Sequence, residues 1–438
     1  MKRFCLRTVL TASLCVAGLP GIDQAEASDL WEIYELALAN DPGFQAEVLA
    51  HEAAELNRPL DQSVFRPAVT SNAELGRQRS DATGTNRTSD DNQLSVQASL
   101  SIYDRPGRIK IAQTEIRIRA SEYMLANARH DLMLRVAERY FNILAAQDAR
   151  EVARLEKIAI RRQMDLADER LEVGLGTQTD FFDAKARFKQ AEANEIQAQN
   201  LINSHVAALK EMIGVTPEAL SPLGADAPLV LPVPDDIHAW VDKALAQNVP
   251  LRVQSLNSEI ALIEMDRQKS MTRPTVSLGA EYRWQDSNVM SASPDDSTTT
   301  SVGLTVRYPL YHGGGIQLLT RQAGVLYNRE NRLLEQARRL ASSQTTSAFL
   351  DVTSSVSQVE ALFEAIAAGE SALEAKEEGF RAGLTTNLDV LDAQRDLSIS
   401  RTNYLRARYN YILSVLHLER SAGQLDEEDI RRVNSWLD

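Results

Sequence analysis

The sequence predicts a mixed α and β membrane protein with an internal structural duplication, in which four strands per chain pool with those of other chains to close a β-barrel. Three observations lead there. Landmarks recur in order at an offset of about 208 residues: Pro42 and Pro250, Arg66-Pro67 and Arg273-Pro274, Phe141 and Phe349, Gly214 and Gly423. Each half carries two segments of about ten residues in which apolar and polar side chains alternate. Each half then runs into a long proline-free stretch of helix formers, from about Pro106 to Leu171 and from about Ile316 to Arg381.

Residues 1–27 read as a secretion signal. Lys2, Arg3 and Arg7 open it, an apolar stretch follows to about Leu19, Pro20-Gly21 break it, and Ala25-Glu26-Ala27 offers a small-x-small cleavage site. The mature chain is expected to begin at Ser28. A retained membrane anchor competes with this reading, but the stretch is too short and too interrupted for a comfortable span. Both cysteines, Cys5 and Cys15, fall inside the signal, so the mature chain is expected to hold no disulfide and no reactive thiolate. A lipoprotein reading of Cys15 is weakened by Leu14, which stands where a small residue is wanted. The formal charge of −14 argues against a nucleic-acid partner and fits a secreted surface or a cation-attracting interior. After residue 28 no run of 18 apolar residues occurs, which excludes a transmembrane helix and says nothing of barrel strands.

The first half, residues 28–213, and the second, 237–423, share one plan: an opening helix, two strands, a very long helix, a turn and another helix. The opening helices are expected to end before Arg66-Pro67 and Arg273-Pro274, because the residue before proline disfavours the helical region. The first strand alternates Val69, Ala73 and Leu75 with Thr70, Asn72 and Glu74; the second sets Leu94, Val96, Ala98, Leu100 and Ile102 against glutamines and serines. The third carries Val276, Leu278, Ala280, Tyr282 and Trp284, and the fourth Val302, Leu304, Val306, Tyr308 and Leu310. A half-buried soluble sheet would alternate too. The strands are long for one, their polar face suits a wet lumen, and Tyr103, Tyr282, Trp284, Tyr308 and Tyr311 lie toward strand ends as an interfacial belt would. The links at 79–91 and 286–298, rich in Asp, Ser, Thr and Asn, read as exposed loops.

Four strands cannot close a barrel, and open edges cannot sit in lipid. Eight strands from two chains would leave a lumen nearly filled by side chains; twelve from three leave room for water, which the polar faces favour. The long stretches show helical spacing, as in Phe349, Val352, Val356, Val359, Phe363 and Ile366, or Leu405, Tyr409, Ile412 and Leu416, and read as coiled-coil-like packing. Between the halves, residues 214–236 hold five of the 14 prolines and read as an irregular connector. Residues 424–438 form a short tail.

The turn after each long helix is the most regular part of the repeat. GFRAGLTTNLDVLDA at 379–393 matches RLEVGLGTQTDFFDA at 170–184. Gly174 and Gly383 suit the left-handed position that ends a helix. Thr177 and Thr386 are candidate N-caps, with Asp180 and Asp389 at the capping-box position. Asp392 lies past the first turn, where capping does not explain it, whereas Asp180 and Asp183 in the first half keep a structural reading. Spacing of three places Asp389 and Asp392 on one helical face.

The plan resembles the TolC family of outer-membrane channel proteins over essentially the whole mature chain. The specific matches are Tyr140-Phe141-Asn142, Val173-Gly174-Leu175, PLYHGG at 309–314, AGLTTNLDVLDA at 382–393 and ARYNYI at 407–412. The resemblance implies a homotrimer, with a twelve-stranded barrel across the outer-membrane lipid continued by a long α-helical barrel through the periplasm. It implies a periplasmic adaptor protein and an inner-membrane transporter as partners, the adaptor docking at Gly174-Leu175 and Gly383-Leu384. It assigns Asp389 and Asp392 to the tightest point of the pore, where rings of like charge attract cations. In family members an arginine two residues after the turn glycine locks the closed tip against an aspartate matching Asp165, beside an aromatic matching Phe380. Here that arginine position is Thr385, so the charge pair cannot form.

No catalytic constellation is legible. The six histidines lack ligand spacing, and His130, His205 and His312 read as surface or packing residues. Gly313-Gly314-Gly315 lacks the Gly-Lys-Ser/Thr of a phosphate loop. Neither an enzyme nor a metal or other cofactor is expected. The competing function is a soluble periplasmic coiled-coil adaptor or scaffold.

Overall fold

A computed structural model describes residues 27–438 apart from 83–84, 218 and 290–294. Except for Ala27, the expected signal lies outside the described residues. The chain runs α1 (Leu30–Asn40), α2 (Pro42–Ser63), β1 (Ala68–Ala82), β2 (Thr85–Tyr103), α3 (Arg105–Glu172) and α4 (Gln178–Ile213). The same order then returns as α5 (Ile237–Gln247), α6 (Val249–Ser270), β3 (Thr275–Val289), β4 (Asp295–Arg307), α7 (Gly315–Arg381) and α8 (Asn387–Ala422). A last helix, α9 (Glu427–Asn434), follows.

The single opening helix expected in each half is two helices. Asp41 leaves the helical region and caps α2, accepting from the Phe44 amide at 2.7 Å, with Pro42 at the first helical position; Asn248 caps α6 in the same way before Pro250. Proline reads here as a helix start rather than a landmark inside one. Arg135 donates twice to the buried Asp41, at 3.1 Å each, and fixes the corner.

The four strands form one antiparallel sheet in the order β1-β2-β3-β4. Directly opposed residues share a face, and the register sorts the side chains cleanly. Val69 opposes Ala98, Ala73 opposes Leu94, Val96 opposes Tyr282, and Leu278 opposes both Leu100 and Leu304. On the other face Thr70 opposes Gln97, Gln97 opposes Glu281, and Glu281 opposes Ser301. One face is therefore apolar and the other polar. A bulge between Ser101 and Tyr103 displaces Ile102 from its expected place and sets Tyr103 opposite Val276 on the apolar face.

The segments expected as loops are mostly strand: β1 runs to Ala82, β2 starts at Thr85, β3 runs to Val289 and β4 starts at Asp295. Their polar composition hid this. A backbone ladder does not require apolar side chains, and the opposed pair Arg77–Asp90 (2.6 Å) ties the two strands across that stretch.

At 68 residues, α3 is roughly 100 Å long, and α7 nearly so. Helices α2 and α4 lie along α3, and α6 and α8 along α7, while α3 also packs on α6 and α8. The main core sits mid-length. Phe141 of α3 stacks 5.7 Å from Tyr409 of α8, whose hydroxyl donates to Asp148 at 2.6 Å. Two tyrosines hold the connector to the helices: Tyr140 donates to the Ser221 carbonyl at 2.8 Å, and Tyr411 donates to the Val230 carbonyl at 2.9 Å. The tail is not loose, because Ile430 and Val433 of α9 are fully buried in this core. Arg432 of α9 bridges Glu419 and Asp429, and burial pushes the Glu419 carboxyl up to about 7. No described helix is long and apolar enough to cross a membrane.

Two glycines of the second half in left-handed backbone meet different surroundings. A Cβ at Gly423 (φ 74°) would lie 2.5 Å from the Gln247 carbonyl oxygen, whereas one at Gly383 (φ 74°) meets nothing within 4 Å. Gly383→Ala is expected to cost about 1–2 kcal/mol from backbone strain alone. Gly423→Ala adds a clash with main chain and is expected to lower the thermal midpoint distinctly further, as measured by circular dichroism on the two purified variants.

Candidate functional site

The site lies at the turns that end α3 and α7, farthest along the chain from the sheet. Each long helix closes through a left-handed glycine, Gly174 (φ 73°) and Gly383 (φ 74°). The next amide folds back onto the last turn: Leu175 donates to the Arg170 carbonyl and Leu384 to the Gly379 carbonyl, both at 2.8 Å. Both turns then start a helix through a complete capping box, Thr177 with Asp180 and Thr386 with Asp389. The leucines after the glycines project outward, 81% and 83% exposed.

The carboxylates divide by environment. Asp389 accepts from the Thr386 hydroxyl (2.7 Å), the Thr386 amide (2.9 Å) and the Lys376 ammonium (3.3 Å). These bonds, the threonine hydroxyl first, hold its carboxyl down to about 2. Asp392 lies one turn on and accepts from Arg187 of α4 at 2.8 Å, with Arg395 at 3.7 Å. Of the four turn aspartates it is the one bonded across the two repeats. Asp180 repeats the capping role of Asp389, while Asp183 is exposed.

The residues matching the closed-tip lock are placed otherwise than in the pattern they resemble. Thr385 turns inward, donating to the Lys376 carbonyl at 3.0 Å and filling the notch over Gly379, where a Cβ would stand 2.9 Å from its methyl group. Phe380 receives the Arg170 guanidinium 4.4 Å from its ring centre. Asp165 is exposed and, among the described residues, has no ion pair or side-chain hydrogen bond. The contacts across the two hairpins are thus Arg187–Asp392 between α4 and α8, Arg170–Phe380 between α3 and α7, and a small cluster of Ile160, Ala167, Ala184, Ala191 and Leu391. Sequence reasoning did not find Arg170, Arg187, Lys376 or Arg395. Arg187 stands 205 residues from its partner, and between Lys185 and Lys189 nothing in the sequence singles it out.

Two long helical hairpins carrying a sheet with one apolar and one polar face, and ending in charged turns, are the architecture of an outer-membrane channel protein. The family described as outer membrane efflux protein matches residues 33–215 and again 240–424, and the chain belongs to that family. It is 32% identical over 414 residues to the outer membrane protein TolC of Vibrio cholerae, covering 94% of each chain. It is 29% identical to the alkaline protease secretion protein AprF of Pseudomonas aeruginosa, covering 94% of this chain and 88% of that one. Among solved structures it superposes on CusC with a TM-score of 0.79 at 16% identity, covering 91% of this chain and 92% of that one. The protein is an outer-membrane efflux or secretion channel, and its family is a class of transporters rather than enzymes. The soluble adaptor reading finds no support among these relatives.

The capping box makes the start of α8 sensitive to acid. An unfolded aspartate titrates near 3.9 and Asp389 at about 2, so its stabilising contribution is full above pH 4 and is lost as pH falls toward 2. Hydrogen exchange at the first-turn amides of α8, corrected for intrinsic rates, is expected to show protection at pH 5 that collapses toward pH 2. In Thr386→Ala the pH-dependent part of the protection is expected to be smaller and its loss complete at a higher pH, because the largest contribution to the shift is gone.

Proposed function

We propose that three copies of this chain form a passive exit duct across the outer membrane and periplasm, fed by a periplasmic adaptor protein and an inner-membrane transporter. The observation that carries the proposal is the sheet register, which puts the apolar sets of all four strands on one face and leaves β1 and β4 as unpaired edges. Joining β4 of one chain to β1 of the next closes twelve strands, apolar toward lipid and polar toward a water-filled lumen. Helices α3, α4, α7 and α8 continue the duct as a helical barrel. In this reading residues 1–27 are the signal, 28–213 and 237–423 are the two repeats, 214–236 is a connector at mid-barrel, and 424–438 is a tail wedged against it.

At the tip, three copies of Asp389 and Asp392 form two stacked rings of carboxylates that narrow the pore. Arg187 neutralises one Asp392 oxygen, so the Asp392 ring is partly paired within each chain. The closed tip in this protein is held by Arg187–Asp392 and Arg170–Phe380 in place of a bond through residue 385. Leu175 and Leu384, exposed beside Gly174 and Gly383, are the apolar knobs on which an adaptor seats. The shared identity with TolC and AprF supports a duct that serves an efflux pump or a protein-secreting system.

Single-channel recording in planar bilayers tests the gate. Asp389→Asn with Asp392→Asn is expected to abolish block by multivalent cations added on the periplasmic side; unchanged block sinks the ring assignment. Arg187→Gln frees Asp392 and is expected to tighten the block by about two- to fivefold, the worth of one half-exposed ion pair. Weaker or equal block in Arg187→Gln would place that pair away from the pore.

A further inference from the structure

The end of the sheet nearest the helices is basic in an otherwise acidic chain. Arg66 stands two residues before β1, Arg105 and Arg108 open α3 after β2, and Lys269 and Arg273 close the α6–β3 junction. All five side chains are exposed. None makes an ion pair among the described residues, whereas their neighbours Lys110 and Arg267 are committed to Asp61 (2.7 Å) and Glu264 (2.7 Å). Asp61 and Glu264 are taken up by those two pairs, Asp104 and Asp266 add carboxylates nearby, and the first turn of α3 holds no acidic residue. At the far end of the sheet the strands mix charges: Asp90, Asp91, Asp286 and Asp296 stand there with Arg77, which pairs with Asp90, and Arg79. Arg307 lies opposite Thr275, on the polar face, and is not part of the basic group.

These cations border the apolar face. Arg108 lies 5.7 Å over the Tyr103 ring and 6.0 Å over Phe65, and Tyr103 is the residue the bulge turns onto that face. Beside them Val69 and Val306 are exposed on the same face, and Tyr308 and Tyr311 stand in the segment that follows β4. An apolar band ending in aromatic rings and then in unpaired cations is the profile of a membrane boundary, and cations at that depth meet headgroup phosphates.

We propose that Arg66, Arg105, Arg108, Lys269 and Arg273 form a collar that binds the headgroups of anionic phospholipid in the leaflet facing the periplasm. The proposal rests on the reading of the sheet as a membrane barrel and adds the lipid class that the barrel selects. Three chains would carry fifteen such cations around the rim. The collar would anchor the depth of the barrel and prevent the helical part from sliding into the bilayer.

The test uses the mature full-length protein in nanodiscs of phosphatidylethanolamine with a minor fraction of phosphatidylglycerol. Lipid retained by the protein after extraction from the discs is quantified by mass spectrometry. The wild type is expected to enrich phosphatidylglycerol over phosphatidylethanolamine, less so at high salt. Arg105→Gln, Arg108→Gln and Arg273→Gln are each expected to lower that enrichment by up to about fivefold. Arg283→Gln, toward the far end of the sheet, is expected to leave it unchanged. Conductance of the same preparations shows that each variant is assembled. A conducting wild type with no enrichment, or conducting collar variants with undiminished enrichment, overturns the collar and leaves the channel intact. Failure of the wild type to insert overturns the membrane reading and the collar with it.

Discussion

The two open edges of the sheet constrain everything else. β1 and β4 each pair on one side only, and each therefore presents a row of backbone amides and carbonyls over 15 and 13 residues. In lipid every such group left unpaired costs several kcal/mol, so a lone four-stranded sheet cannot sit in a bilayer. In water the same edges invite pairing with another chain. The polar face is an equal constraint. Glu281 and Arg283 lie among threonines, serines and glutamines, and no packing of that face against lipid is tolerable. A ring of identical copies meets both demands at once, since it closes the edges and turns the polar faces toward shared water.

The helices follow from the same symmetry at a smaller scale. Duplication supplies two long helices, and each is flanked along its length by two shorter ones, so one chain already presents two equivalent units to a ring. Tyr140 and Tyr411 use their hydroxyls to pin the irregular connector, and α9 wedges beneath it with buried Ile430 and Val433. At the tip the two repeats stop being equivalent. Both turns share the glycine and the capping box, but only the second repeat's Asp392 reaches across to an arginine of the first. The proposed gate needs a contact that can be made and broken, and a half-exposed ion pair is weak enough to serve.

What the sequence made legible were features with a local cause. The left-handed glycines, the capping boxes and the four alternating strands are written within a few residues of where they act, and the repeat doubled each signal. The split of the opening helices was missed because Asp41-Pro42 and Asn248-Val249-Pro250 are helix starts embedded in helix-forming sequence. Strand continuation past Gly76 and Asp286 was missed because two polar faces leave no alternation to read, although the backbone ladder continues. Arg187–Asp392 and Arg170–Phe380 were missed because nothing within reach of either partner in the sequence points to the other. Thr385 has no charge to pair, and its inward hydrogen bond to the Lys376 carbonyl depends on the shape of the closed turn, which the residue type alone does not signal.

Edge-to-edge closure can be measured with introduced cysteines, since residues 28–438 contain none. A panel of cysteine pairs, one on β1 at Thr70 or Asn72 and one on β4 at Thr299, Ser301 or Thr305, is oxidised in isolated outer membranes and resolved on denaturing gels. Closure of twelve strands from three chains predicts that at least one pairing gives a covalent species that stops at three copies. Monomer across the whole panel, products that stop at two, or a ladder extending beyond three would contradict it.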